Sequence, residues 1–296
     1  MGSCTRAATL RSRQQESQGE AGRGRVMNQS TIGFIGLGAM GEPMVARLLA
    51  AGFRVVSYVN RSRDAMDRLK AQGLVEVADA RALGAQADIV MCCVFDEPQN
   101  DQALRGEQGA IGAMTSGSIV LLMSTISPGY CQSLAQETAK SGISVLDCPL
   151  SGLVRGAVEG TLSLMIGGAE ADIARCEQAL APLGNVMRCG DIGSGQVMKL
   201  ANNAISLSTF SLLLELRDLV STYGMDLDAF MRILNRSTGR SFVSENFPMP
   251  KGRLKMMGMP AKDVSTCLRL ADELGISLPM VQQCFDAGVA EIERSK

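Results

Sequence analysis

The run Ile32-Gly33-Phe34-Ile35-Gly36-Leu37-Gly38-Ala39-Met40-Gly41 constrains the fold more than any other stretch. An apolar strand leads into glycines spaced Gly36-x-Gly38-x-x-Gly41. A helical pattern follows (Met44, Leu48, Leu49), then a second apolar strand over 54–59. This is the spacing of a dinucleotide-binding turn. The first glycine permits the tight bend, the second lets backbone approach a pyrophosphate, and the third lets helix and strand pack closely. The helix N-terminus presents free N–H groups to the phosphate. Gly36, Leu37, Gly38, Ala39, Met40 and Gly41 are therefore candidate cofactor contacts.

From Thr31 onward the chain alternates. Strands are expected at 31–36, 54–59, 75–77, 88–94, 118–122 and 144–147, with helices such as 40–51, 63–72, 99–105 and 128–141 between them. Such alternation gives a doubly wound, mostly parallel sheet. Ligands then bind beyond the carboxyl ends of the strands. Three ends carry that expectation: Val94-Phe95-Asp96, Met123-Ser124-Thr125 and Asp147-Cys148-Pro149-Leu150-Ser151-Gly152. A strand over 161–166 and a helix over 170–181 extend the unit. A long apolar helix is expected from about 195 to 222, and 225–296 reads as helical, broken at Pro248, Pro250, Pro260 and Pro279. The expected fold is thus α/β: a Rossmann domain over 31–192, joined by a long helix to an all-helical domain over 193–296. Residues 1–30 are polar, Arg-rich and aperiodic. They read as a disordered extension, with Met27 as a candidate true start and a targeting peptide as the alternative.

Composition narrows the chemistry. Among 296 residues there is no histidine. That excludes a Ser-His-Asp triad, a histidine base and histidine-ligated zinc, and no metal site is expected. The formal net charge is −1, with no basic run in the folded part and no apolar run of membrane-spanning length. Neither nucleic-acid nor membrane binding is expected. Nine cysteines without a C-x-x-C pair read as reduced thiols of a cytoplasmic protein. The 18 methionines read as core filler.

Proton transfer must then fall to Lys, Asp, Glu, Tyr or Cys. Lys199 and Asn203 stand four apart in Gly195-Gln196-Val197-Met198-Lys199-Leu200-Ala201-Asn202-Asn203, on one face of the long helix. Two readings fit that spacing. One is a desolvated lysine of lowered pKa that serves as acid or base. The other is a surface lysine with a solvated neighbour.

Four motifs in order resemble the β-hydroxyacid dehydrogenase family, which includes 3-hydroxyisobutyrate dehydrogenase and tartronate semialdehyde reductase. They are the Gly36–Gly41 turn, Asp147 to Gly152, Gly195 to Asn203, and Lys262-Asp263. The resemblance covers about 31 to 293. It implies an NAD(P)-dependent oxidoreductase interconverting a small 3-hydroxy acid and its semialdehyde, as a homodimer or homotetramer. It further implies Lys199 as general acid/base, Asn203 as substrate-orienting, and Ser151 and Gly152 as carboxylate-holding through backbone N–H groups. Thr125 and Lys262 would line the cleft of cofactor and substrate, with Val94 and Phe95 on its cofactor side. An ordinary surface ion pair is the other reading of Lys262-Asp263. One departure is Leu153, where the family usually has a second glycine. Its side chain would reshape the substrate pocket. A second departure is the missing aromatic before Lys262.

No carboxylate stands at Val59, the position after the second strand that binds the ribose of NAD. Asn60-Arg61-Ser62 follows, resembling the Asn-Arg-Thr of NADP-dependent members. Arginine there pairs with a 2′-phosphate, which favours NADP(H). The alternative leaves Arg61 and Arg63 as solvated residues. Two other functions fit less well. A non-catalytic dinucleotide-binding regulator would not need both Lys199 and Asn203. An imine reductase resembles the same architecture but typically lacks the lysine.

Overall fold

The computed structural model describes residues 30–60, 63–248 and 258–294. The expectation for residues 1–30 falls almost wholly outside them, as do Arg61 and Ser62. Six strands alternate with helices: β1 (Thr31–Ile35), α1 (Gly41–Ala50), β2 (Arg54–Ser57), α2 (Asp64–Lys70), β3 (Val75–Glu76), α3 (Ala80–Gly84), β4 (Ile89–Cys92), α4 (Glu97–Leu104), β5 (Ile119–Leu122), α5 (Pro128–Ala139) and β6 (Ser144–Asp147). Then follow β7 (Leu150–Ser151), α6 (Leu153–Glu159), β8 (Leu162–Gly167), α7 (Glu170–Leu180) and β9 (Gly184–Gly190).

The sheet order is β3-β2-β1-β4-β5-β6-β8-β7, with β9 on β8. Strands β1 to β6 are parallel. Strand β8 runs antiparallel to β6 and β7 and parallel to β9. The central strands β1 from Ile32, β4 and β5 are apolar throughout because both faces are covered. Strand residues alternate between two cores. Ile32, Phe34, Val55, Ile89, Met91, Ile119 and Leu121 enter one buried cluster. Ile35, Val56, Val90, Cys92, Val120 and Leu122 enter the other. Period-two alternation in a doubly covered strand requires this division.

From β9 the chain enters α8 (Ser194–Tyr223), a 30-residue helix bounded by Gly193 and Gly224, both of positive φ. Helices α9 (Leu227–Leu234), α10 (Phe242–Glu245), α11 (Gly258–Glu273) and α12 (Pro279–Arg294) follow. One face of α8 packs on α11 and α12 around Leu207, Phe210, Val264 and Ile292. Its first turns lie on β8 and β9. The fold is therefore a Rossmann-like, mostly parallel sheet followed by a helical region reached through one long helix.

Three expectations need correction. Helix α8 is long and apolar enough to cross a membrane by length and composition, contrary to the sequence reading, although its inner face is part of the core. The extension of the domain holds, besides the expected strand and helix, a helix after Gly152, α6, and a strand over 184–190 that the sequence reading did not name. Not every methionine fills the core: Met187, Met198, Met225 and Met280 are exposed.

Candidate active site

The glycine turn lies at the carboxyl end of β1, where the sheet order reverses between β2 on one side and β4 on the other. Gly36 has φ +103, and a Cβ there would collide with the Cys93 carbonyl oxygen at the end of β4. At Gly41 a Cβ would collide with the Gly36 carbonyl oxygen, so helix and turn touch backbone to backbone. Gly38 differs: no atom lies within 4 Å of where its Cβ would stand. Helix α1 has no side-chain cap at its N-terminus. Tight packing at two glycines and open space at the third leave a cradle lined by uncapped N–H groups. A dinucleotide pyrophosphate fits it.

Helix α8 is anchored to the sheet by two buried side chains. The Asp147 carboxylate at the end of β6 accepts hydrogen bonds from the Gly193 N–H at 2.6 Å and the Gln196 N–H at 2.7 Å. It caps a helix whose own N-cap residue, a glycine, has no side chain to do so. Burial pushes the Asp147 pKa up, while the backbone N–H donors oppose that rise. Gln196 donates to the Ser124 carbonyl at 2.9 Å and accepts from the Ile126 N–H at 3.1 Å. The first turn of α8 is thus fixed against the ends of β5 and β6, and Lys199 one turn later is positioned by it.

Lys199 is half-buried. Burial lowers its pKa from the ordinary lysine value, and the Asp263 carboxylate partly offsets this. Asn203, one turn further, donates to Asp263 Oδ2 at 2.6 Å and accepts from Asn202 Nδ2 at 3.1 Å. Asp263 is itself buried. Desolvation raises its pKa, opposed by Lys262, Lys199 and Asn203. Its Oδ1 accepts no hydrogen bond and has the Lys262 ammonium 3.4 Å away in an ion pair. Lys262 in turn donates to the Phe95 carbonyl at 2.8 Å and the Thr125 carbonyl at 3.0 Å, with its ammonium 4.8 Å from the Phe95 ring centroid. Lys262 therefore ties α11 to the carboxyl ends of β4 and β5.

These contacts bring Lys199, Asn203, Lys262, Phe95 and Thr125 together, and the turn at Gly36 abuts the β4 end next to Val94. Leu37, Ala39 and Met40 lie on the turn itself. Ser151 ends β7, paired with Ser163 of β8. The cap position of α6 is Gly152, with φ +132. Leu153 has φ +57, the one non-glycine residue of positive φ among the described residues, and its side chain is 48% exposed. A γ-branched residue in the left-handed region carries strain. Asn60 is exposed at the end of β2. Arg63 is engaged elsewhere, bonded to Glu76 at 2.7 Å.

Sequence reasoning missed two residues. Asp263 was read as an ion-pair partner of Lys262, but it also holds Asn203. Asp147 belonged to a quoted motif, yet its capping role depends on partners 46 and 49 residues away. Asp96 and Glu97, next to the β4 end, hold backbone. Asp96 caps α4 by accepting from the Gln99 N–H, and Glu97 accepts from the Ser127 N–H.

The Asp263 charge makes one prediction specific. Lys199 must be neutral to accept a proton, so a reaction using it as base rises with pH through its lowered pKa. A reaction using it as acid falls through the same ionisation. Asp263→Asn removes the charge that stabilises the ammonium, and an asparagine oxygen still accepts from Asn203. The limb set by Lys199, rising with pH in oxidation and falling in reduction, is expected to move to lower pH, measurable as kcat/KM against pH. An unmoved limb would mean that Asp263 does not act on Lys199.

A dinucleotide cradle at the sheet's switch point, together with a partly desolvated lysine on the long helix, points to a nicotinamide-dependent oxidoreductase. Known proteins narrow this. The model for the NAD binding domain of 6-phosphogluconate dehydrogenase matches residues 31–193. That for the NAD-binding region of NADP-dependent 3-hydroxyisobutyrate dehydrogenase matches 193–294. The chain is 33% identical over 263 residues to 2-hydroxy-3-oxopropionate reductase of Escherichia coli (strain K12), covering 86% of this chain and 88% of that one. It is 30% identical over 274 residues to 2-(hydroxymethyl)glutarate dehydrogenase of Eubacterium barkeri, covering 88% and 89%. A solved 3-hydroxyisobutyrate dehydrogenase from Salmonella typhimurium superposes with a TM-score of 0.76 at 25% identity, covering 88% and 94%. The chain belongs to the β-hydroxyacid dehydrogenase family, and it is an NAD(P)-dependent hydroxy-acid oxidoreductase.

Proposed function

We propose that the enzyme interconverts a small 3-hydroxy acid and its semialdehyde with NADP(H), using Lys199 as general acid/base. One observation carries the reading: Lys199 is partly desolvated, its pKa is lowered, and it shares a helix face with Asn203 beside the cofactor cleft. When bound, the nicotinamide exchanges a hydride with the carbon bearing the oxygen. The chain's own residues do the rest. Lys199 takes the hydroxyl proton in oxidation and returns one to the carbonyl oxygen in reduction. Asn203, held by Asp263, orients the substrate oxygen. Ser151 and Gly152 hold the carboxylate through backbone N–H groups, and Leu153 narrows the pocket beside them. Lys262, Phe95, Val94 and Thr125 close the cofactor side. The resemblance also supports a homodimer or homotetramer in the cytoplasm.

The preference for NADP(H) rests on Asn60-Arg61-Ser62 and on the absence of a carboxylate at Val59. Arg63 is occupied by Glu76, so Arg61 is the residue assigned to the 2′-phosphate. Arg61→Ala is expected to raise KM for NADPH about tenfold, the loss of one charge-assisted contact, and to leave KM for NADH unchanged. Equal effects on both nucleotides would remove Arg61 from that role.

Initial rates of NADPH and NADH oxidation with succinic, tartronate and methylmalonate semialdehydes, and with a cyclic imine, test the reaction. Semialdehyde turnover with NADPH is expected. Imine turnover without semialdehyde turnover would assign the chain to a different chemistry.

A further inference from the structure

Arg47 stands in the last turn of α1, the helix that begins at the glycine turn. Among the described residues no carboxylate pairs with it. Its guanidinium donates instead to two backbone carbonyls from distant parts of the chain, with Nε 2.5 Å from the Pro182 oxygen and Nη1 3.1 Å from the Val158 oxygen. Pro182 lies in the turn between α7 and β9. Val158 lies in the last turn of α6, where carbonyls lack helical partners and a positive charge is favourable. Gly160, of φ +69, ends α6 and leaves room for this contact, since a Cβ there would collide with the guanidinium.

Little else grips α6. Its buried residues are Gly156 and Ala157, while Leu153, Val154 and Val158 are exposed. Gly152 and Gly156 face Leu162 of β8 without side chains of their own. Arg155 pairs with Glu159 of the same helix. Among the described residues, Arg47 makes the one side-chain hydrogen bond that reaches the α6 backbone from another element. Yet the entry to α6 is strained, with Gly152 at φ +132 and Leu153 at φ +57. Such a conformation persists only where its surroundings hold it. The pairing of Ser151 with Ser163 holds it from the β7 side. On the other side α6 is only about 10 Å long, so a bond at its last turn also fixes its first.

The geometry points to Arg47 as a positioning residue for the substrate. Through α6 it ties the Ser151–Leu153 loop to the helix that carries the nucleotide turn. Substrate carboxylate and cofactor are thereby kept at one separation, as hydride transfer between them demands. Arg47 itself touches neither substrate nor reacting atoms. The inference rests on the preceding assignment of the loop to the carboxylate, and it adds what holds that loop in place.

Steady-state kinetics with a semialdehyde, alongside NADPH titration, test the role. Arg47→Ala is expected to raise KM for the semialdehyde about tenfold, the loss of one charge-assisted contact. The dissociation constant of NADPH is expected to stay at the wild-type value, and kcat to fall by less than KM rises. Arg47→Lys keeps the charge and one donor and is expected to recover part of the loss. It decides the matter if Arg47→Ala does not fold. Gly160→Ala displaces the guanidinium from the opposite side and is expected to reproduce the rise in KM. Gly152→Ala disturbs the loop directly and checks the carboxylate assignment. A raised KM in Gly152→Ala with an unchanged KM in the Arg47 variants would overturn the role of Arg47 and leave the loop assignment standing. An unchanged KM in all of them would overturn both. Lower kcat or weaker NADPH binding at constant semialdehyde KM would make Arg47 a support of the fold alone, which also overturns the proposal.

Discussion

Lys199→Ala is expected to lower kcat by roughly 10²- to 10⁴-fold in both directions, the range for loss of a general acid or base. That corresponds to about 3–5 kcal/mol of transition-state stabilisation. The change should leave KM for the nucleotide nearly unaltered, because the cradle is formed by the Gly36–Gly41 turn and not by α8. Folding should also survive. The lysine is desolvated in the native state, so its removal discards an unfavourable burial rather than a favourable contact. The pH dependence should change with the rate. Wild-type oxidation is expected to rise with pH through the lowered Lys199 ionisation, and the variant should lose that limb. Steady-state kinetics over a pH series measure both. A variant with undiminished kcat would place the proton transfer elsewhere.

Asp147→Ala is expected to destabilise the junction between the sheet and α8. It leaves the Gly193 and Gln196 N–H groups buried without partners, each at a cost of about 1–3 kcal/mol. The total is about 3 kcal/mol, since the desolvation cost of the carboxylate is relieved at the same time. Thermal unfolding should shift down by about 10 °C. Because Asp147 and Gln196 together fix the first turn of α8, kcat should fall as well, through misplacement of Lys199. Asp147→Asn keeps one acceptor and should lie between. Calorimetry on the three proteins checks the order, and a variant as stable as wild type would show that the cap is dispensable.

How much of this was legible in the sequence depended on range. The β1 turn could be read because its three glycines stand at a fixed spacing within six residues, although the carbonyl that Gly36 must clear, Cys93, belongs to a distant strand end. The strands were legible because they are apolar runs set off by turn residues. Helix α8 showed its apolar period. What stayed hidden involves distant partners. Strand β9 carries exposed residues such as Met187, and its pairing with β8 is invisible in its own composition. Helix α6 begins at two residues of positive φ, Gly152 and Leu153, and no cap signal marks it. The Asn203–Asp263 bond spans 60 residues, so the lysine's spacing alone left its role open. The outer face of α8 reads as helical core in sequence, because periodicity does not distinguish an apolar face that is buried from one that is bare.

The most direct measurement is chemical rescue of Lys199→Ala by small primary amines during hydroxy-acid oxidation. The account predicts that added amine restores turnover, saturably, with rates that follow the basicity of the amine. Failure of every amine that fits the cleft, or full activity of the variant without one, would contradict Lys199 as the group that carries the proton.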